Sequence, residues 1–122
     1  MKIFGEDYGF MLTIGASAAI AKLCPDGDIS RMSEVIGGNY ADAVNFSAKF
    51  IVAMANGYDE KKRFDGEEVS HKPLTIDMVM ALPGSIFTEV QAAALAAFGE
   101  DIKPSVETKP SKKKGSRTPA LN

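Results

Sequence analysis

Apolar positions along this chain fall first in one run and then at helical spacing. Tyr8 to Ile14 reads YGFMLTI, a stretch rich in aromatic and β-branched residues that predicts a strand. Lys2–Phe4 is placed to pair with it across Gly5-Glu6-Asp7. The result is a short hairpin or a single strand that must lean on helices, since two strands alone are marginal in water. Gly15 ends the strand, and Ser17 can cap a helix with Ile20, Leu23 and Cys24 on one face. Pro25 stops that helix, because the residue before a proline avoids the α region.

After the turn Pro25-Asp26-Gly27, Asp28 is a good N-cap for ISRMSEVI, with Ile29, Met32, Val35 and Ile36 on one side. Gly37-Gly38 terminates it, and Asn39 caps again, with Asp42 on the positive end of the next helix. That third helix, about Tyr40 to Asn56, has the strongest pattern in the chain. Tyr40, Ala43, Val44, Ser47, Phe50, Ile51, Met54 and Tyr58 recur at three- and four-residue steps, and Gly57 is placed as C-cap. Residues 59–73 read as a charged, solvated connector, with an extra turn of helix before it as the alternative. Thr75 then caps a short helix carrying Ile76, Val79, Met80 and Leu82. Pro83 opens a last one, since proline is well tolerated at the first helical position. Ile86, Phe87, Val90, Ala94, Ala97 and Phe98 form its stripe and Gly99 ends it. The fold class is therefore mainly α: an N-terminal short β-hairpin or strand, about five locally packed helices, and a basic tail expected to be disordered.

Charge divides the chain in two. Residues 1–102 hold eight Lys/Arg and fifteen Asp/Glu, a charge of −7. Residues 103–122 hold six basic residues and one acid, a charge of +5, with three prolines and no aromatics. The expectation is a compact helical domain at 1–102 and a flexible basic tail at 103–122. The 122 residues fit one domain. No apolar run is long enough to span a bilayer, and the first ten residues lack the apolar stretch of a signal peptide. The expected location is the cytoplasm.

Candidate chemistry is sparse. Cys24 is the lone cysteine, so no intramolecular disulfide can form, and a buried thiol is its expected role. His71 is the lone histidine and lies in a polar stretch, EEVSHKP. The acidic pairs, Asp59-Glu60 among them, fall at turns or helix ends, where solvated or capping roles are the rule. No Cys/His cluster, calcium-loop spacing or dinucleotide fingerprint is present. The expectation is a non-enzymatic binding protein with no cofactor and no metal. Met78 and Met80 stand two apart, so on a helix they face different directions. Either one is exposed or both are covered by neighbouring helices. With Phe87, they are the candidate partner-binding residues, since methionine suits adaptable surfaces. In the tail, Lys109, Lys112, Lys113, Lys114 and Arg117 form the basic cluster. It serves either as a solubilising terminus or as a contact for a partner.

Several long phrases carry a family resemblance. They are EDYGFMLTIGASAAIAKLCPDGDISRMSEVI, YADAVNFSAKFIVAMANGY and KPLTIDMVMALPGSIFTEVQAAALAAFGEDIKPSVETKP, followed by the lysine-rich end. Nearly the whole chain resembles the small tail assembly chaperones of prophages and tailed phages of Gram-positive bacteria. The resemblance implies a helical adaptor that coats the tape measure protein, recruits tail tube protein subunits and self-associates. It also implies a longer product made by programmed frameshift. Lys112-Lys113-Lys114-Gly115 fits an adenine-rich slippery site. The alternative is a nucleic-acid-associated accessory protein using the basic tail. Against it stand the absence of aromatic residues to stack bases and the acidic body that repels phosphate.

Overall fold

A computed structural model describes residues 1–107, with side chains through Ile102. The elements run β1 (Lys2–Ile3), β2 (Glu6–Asp7), α1 (Ile14–Ala21), α2 (Met32–Ile36), α3 (Tyr40–Phe64), α4 (Ile76–Met80) and α5 (Gly84–Glu107), with two 3-10 turns at Pro25–Gly27 and Ile29–Arg31. The described residues are mainly helical, with five helices and one short antiparallel sheet, as the sequence leads one to expect. The basic cluster at Lys109, Lys112, Lys113, Lys114 and Arg117 lies outside the described residues.

Helix α3 is the hub, and α1, α2, α4 and α5 all pack on it. Its start is fixed by Asn39, whose side chain accepts from the Asp42 amide at 2.9 Å, and Asp42 sits on the positive end of the dipole. Its last turn carries Lys61, Lys62 and Arg63 against the negative end. Phe46, Phe50, Ile51, Met54 and Ala55 bury the stripe between those ends. Tyr8, Ile20, Leu74, Val79, Val90 and Ala94 close the core from the other segments. Burial of a Leu, Ile or Phe side chain is worth about 1.5–3 kcal/mol, so this cluster is what holds the short helices α1, α2 and α4, marginal alone, on the long ones.

The N-terminal segment departs from expectation. The hairpin is only two residues per strand, with Lys2 opposite Asp7 and Ile3 opposite Glu6. Phe4 and Gly5, both at positive φ, form its turn. Tyr8–Thr13 forms no strand and lies along α3, where the Met11 amide donates to the Met54 carbonyl at 3.0 Å. Tyr8 is buried in the core and Phe10 and Leu12 pack half-buried against it, so packing on the core, not strand pairing, accounts for their composition. Thr13, not Ser17, caps α1, accepting from the Ala16 amide at 3.1 Å. Gly15 lies inside that helix.

Helix α3 also runs past Gly57, where the sequence placed its end. Gly57 is buried, and a Cβ there would lie 2.6 Å from the Met11 carbonyl oxygen. Gly9 makes the reciprocal allowance, since its Cβ would lie 2.6 Å from the Tyr58 ring. Both glycines serve close approach of the 8–13 segment, and neither ends an element. Helix α5 likewise passes Gly99, which has open space around it. The cap read from the sequence holds at Thr75, which accepts from the Met78 amide at 3.2 Å. Asp28 accepts from the Ser30 amide at 3.0 Å but opens a 3-10 turn, and α2 begins only at Met32, so ISRMSEVI is not one continuous helix.

Candidate functional site

An open groove flanked by apolar residues is built where α2, the first turns of α3, α4 and the first turns of α5 meet. Pro83 ends α4 and restarts the chain as α5, so the two helices leave a gap over α3. That gap is a groove of about 470 Å³. Ile36, Tyr40, Val44, Met80, Leu82 and Phe87 supply its apolar sides. Buried Val79 and Ser47 lie at its base, where the Gln91 amide donates to the Ser47 hydroxyl at 2.8 Å. That bond satisfies a buried hydroxyl which would otherwise cost about 1–3 kcal/mol. Among the described residues, no charged residue lines the groove.

Two of the three sequence candidates meet here. Met80 is 47% exposed and Phe87 half-buried, both in the groove lining. Met78 faces elsewhere and packs half-buried against the core. Their divergence follows from the two-residue offset on one helix. Tyr40, placed by the sequence on the buried stripe of α3, is instead 84% exposed. It stands at the first position of the helix, beyond the reach of the core, and becomes a wall of the groove. Sequence reasoning named the residue but gave it the wrong role.

A second concavity, about 530 Å³, was not legible. Its floor is small residues, Gly15, Ala16, Ala19 and Ala53, and its rims are Ile14 and Phe64. Those rims are the two most exposed large apolar side chains in the described residues, at 88% and 87%. Phe64 lies in the stretch read as a charged loop with one extra helical turn as the alternative, and α3 continues through that turn to end at Phe64.

The lone histidine is engaged in a buried contact that the solvated-acid expectation missed. Asp59, expected at a solvated turn, lies inside the extended α3 and is 1% exposed. His71 Nε2 lies 3.0 and 2.9 Å from its two carboxylate oxygens. The Tyr8 ring packs against the His71 ring at 4.3 Å between centroids, and the Tyr8 hydroxyl donates to the Lys72 carbonyl at 2.8 Å. Burial pushes the Tyr8 phenol up, with the charges of Glu6 and Asp59 adding to it. Among the described residues no hydroxyl or thiol is hydrogen-bonded to His71. The cluster fastens residues 67–72 and the N-terminal segment to α3. Cys24 is buried and donates to the Ile20 carbonyl, and desolvation pushes its thiol up, with Asp28 a lesser cause. A raised thiol is a poor nucleophile.

Among the described residues, no three or more His, Cys, Asp or Glu side chains converge as metal ligands. No described helix is long and apolar enough to cross a membrane. Compared with family models, curated proteins and solved structures, the chain finds no match.

Proposed function

We propose that this protein is a non-enzymatic tail assembly chaperone of a prophage or tailed phage. In this reading it acts in the host cytoplasm, holds the tape measure protein and assists tail tube assembly. The observation that carries the reading is the uncharged groove between α2, α3, α4 and α5, with Met80 and Phe87 in its lining. A groove of that kind takes the apolar face of an amphipathic helix. A long helical client would present such faces repeatedly, and weak sites then add up through avidity. Methionine at the lip suits a site that must accept many slightly different helical segments.

The test is co-expression of the tagged protein with its natural downstream DNA, followed by mass identification of what co-purifies. The expected result is a very long, helix-rich partner. Met80→Asp weakens its capture by about tenfold, as loss of an interface anchor should, with the helical circular dichroism unchanged. A protein that emerges alone overturns the reading. DNA binding that falls steeply with salt and vanishes on removal of residues 103–122 would favour a nucleic-acid accessory protein instead.

A further inference from the structure

The elements that build the groove carry charge of one sign. Residues 32–48 and 73–102 contain Glu34, Asp42, Asp77, Glu89, Glu100 and Asp101, and no lysine or arginine. Four of these acids lie within three residues of the groove lining: Glu34, Asp42, Asp77 and Glu89. Glu34 is offset by Arg31, which binds it through two nitrogens at 2.8 and 2.9 Å. Asp42, Asp77 and Glu89 are exposed and make no ion pair among the described residues. The cation nearest the lining in the chain, Lys49, sits on the far side of α3, two positions past Ser47. The remaining described cations lie in other segments: Lys61, Lys62 and Arg63 at the far end of α3, and Lys2, Lys22 and Lys72. A helix is about 10 Å across and the Debye length at physiological salt is about 8 Å, so acids on these helices bias a ligand lying in the groove between them.

We infer that the groove takes a cationic amphipathic helix from another polypeptide, with its apolar seam against Met80 and Phe87 and Lys or Arg along its flanks. The uncharged lining supplies attraction for the seam, and the acid-only surroundings set the sign of the flanks. An acidic helix of the same apolar pattern would meet like charge on entry, which lowers both its affinity and its association rate. The inference rests on the chaperone reading only in taking this groove as the docking site.

The experiment uses the full chain and two synthetic peptides of about 18 residues, five helical turns. Both carry leucine at helical i, i+3, i+4, i+7 spacing. One has lysine on its flanks and the other glutamate. At low salt the lysine peptide should bind tighter by about threefold to tenfold, the worth of two or three exposed ion pairs. The gap should shrink at high salt and in the double variant Asp77→Asn, Glu89→Gln. Met80→Ser, which leaves the charge unchanged, should weaken the lysine peptide, and a variant that binds it as before would overturn the inference. So would a glutamate peptide that binds as well, or no binding by either. A peptide of the chain's own residues 108–122 that displaces the lysine peptide would overturn it in favour of an internal occupant. Self-association abolished by Met80→Ser, without peptide binding, would overturn it in favour of a second copy. A long client that co-purifies while the two peptides bind alike removes the charge rule and leaves the chaperone reading. Peptides that separate as expected, with no client, do the reverse.

Discussion

A methyl group at Gly57 would sit 2.6 Å from the Met11 carbonyl oxygen, 3.0 Å from Thr13 Oγ1 and 3.2 Å from the Ala16 methyl. In an exposed helix interior, Gly→Ala stabilises by up to about 1 kcal/mol. At Gly57 the obstructing atom is backbone, which cannot rotate away, and overpacking of this kind costs about 1–3 kcal/mol. The steric effect wins, so Gly57→Ala should lower the urea midpoint. Gly99→Ala, in a helix with open space at the Cβ, should raise it by up to about 1 kcal/mol. Substitutions that moved stability in the same direction at both sites would mean the 8–13 segment does not lie on α3 as described. The same contact explains why Gly57 reads wrongly from sequence. A glycine after an apolar stripe looks like a C-cap, and the atom that requires it belongs to a residue distant in the chain.

Between elements, the tie with most at stake is Asp59 to His71. It joins α3 to the connector before α4 at a carboxylate that is 1% exposed. Removing the imidazole leaves a buried acceptor without its partner, at a cost of about 1–3 kcal/mol, a large fraction of a typical domain's stability. His71→Ala should therefore lower the unfolding midpoint and speed amide exchange across residues 67–72. The charge-removing double variant Asp59→Asn, His71→Ala should recover part of the loss. Unchanged exchange in His71→Ala would mean the connector is held by Leu74 and Tyr8 alone. Element by element, the sequence was legible where signals are local. Asp28, Asn39 and Thr75 cap at the expected residues, because a cap and the amide that donates to it lie within three residues. The Tyr8–Thr13 segment was not legible as a helix-packed strap, since its composition is the same whether burial comes from strands or from a helix. The groove was half legible: Met80 and Phe87 follow from helical register, whereas Tyr40 as a wall depends on where α2 turns into α3.

Across the whole molecule, charge is polarised along α3. The groove end carries acids without cations in its building segments, and the far end pairs Lys61 with Asp65, Arg63 with Glu60 and Lys62 with Glu67 near the surface. Such pairs contribute little, so the acid limb of stability should come from carboxylates with fixed local donors. Asp28 is held below its ordinary value by the Ser30 hydroxyl and amide, and Glu34 by the Arg31 guanidinium. A carboxylate whose pKa is lower folded than unfolded stabilises the native state above the unfolded value, about 3.9 for Asp and 4.3 for Glu. That contribution is lost as pH falls through the folded value. The denaturant midpoint should thus be nearly flat from neutral pH to about 5 and fall below about 4. Both groups are exposed, so the local effect is modest. Asp28→Ala should reduce the steepness of the acid limb and leave the neutral plateau slightly lowered, since the Ser30 amide loses its side-chain acceptor. A midpoint that falls equally steeply with Asp28→Ala would place the acid sensitivity elsewhere, with Glu34 and Asp7, whose carboxylates the Arg31 guanidinium and the N-terminal ammonium hold low, the next residues to substitute. Because Asp28 and Arg31 fix the entry to α2, and Ile36 of α2 lines the groove, the same variant in the peptide assay shows whether acid loosens the docking site before the core.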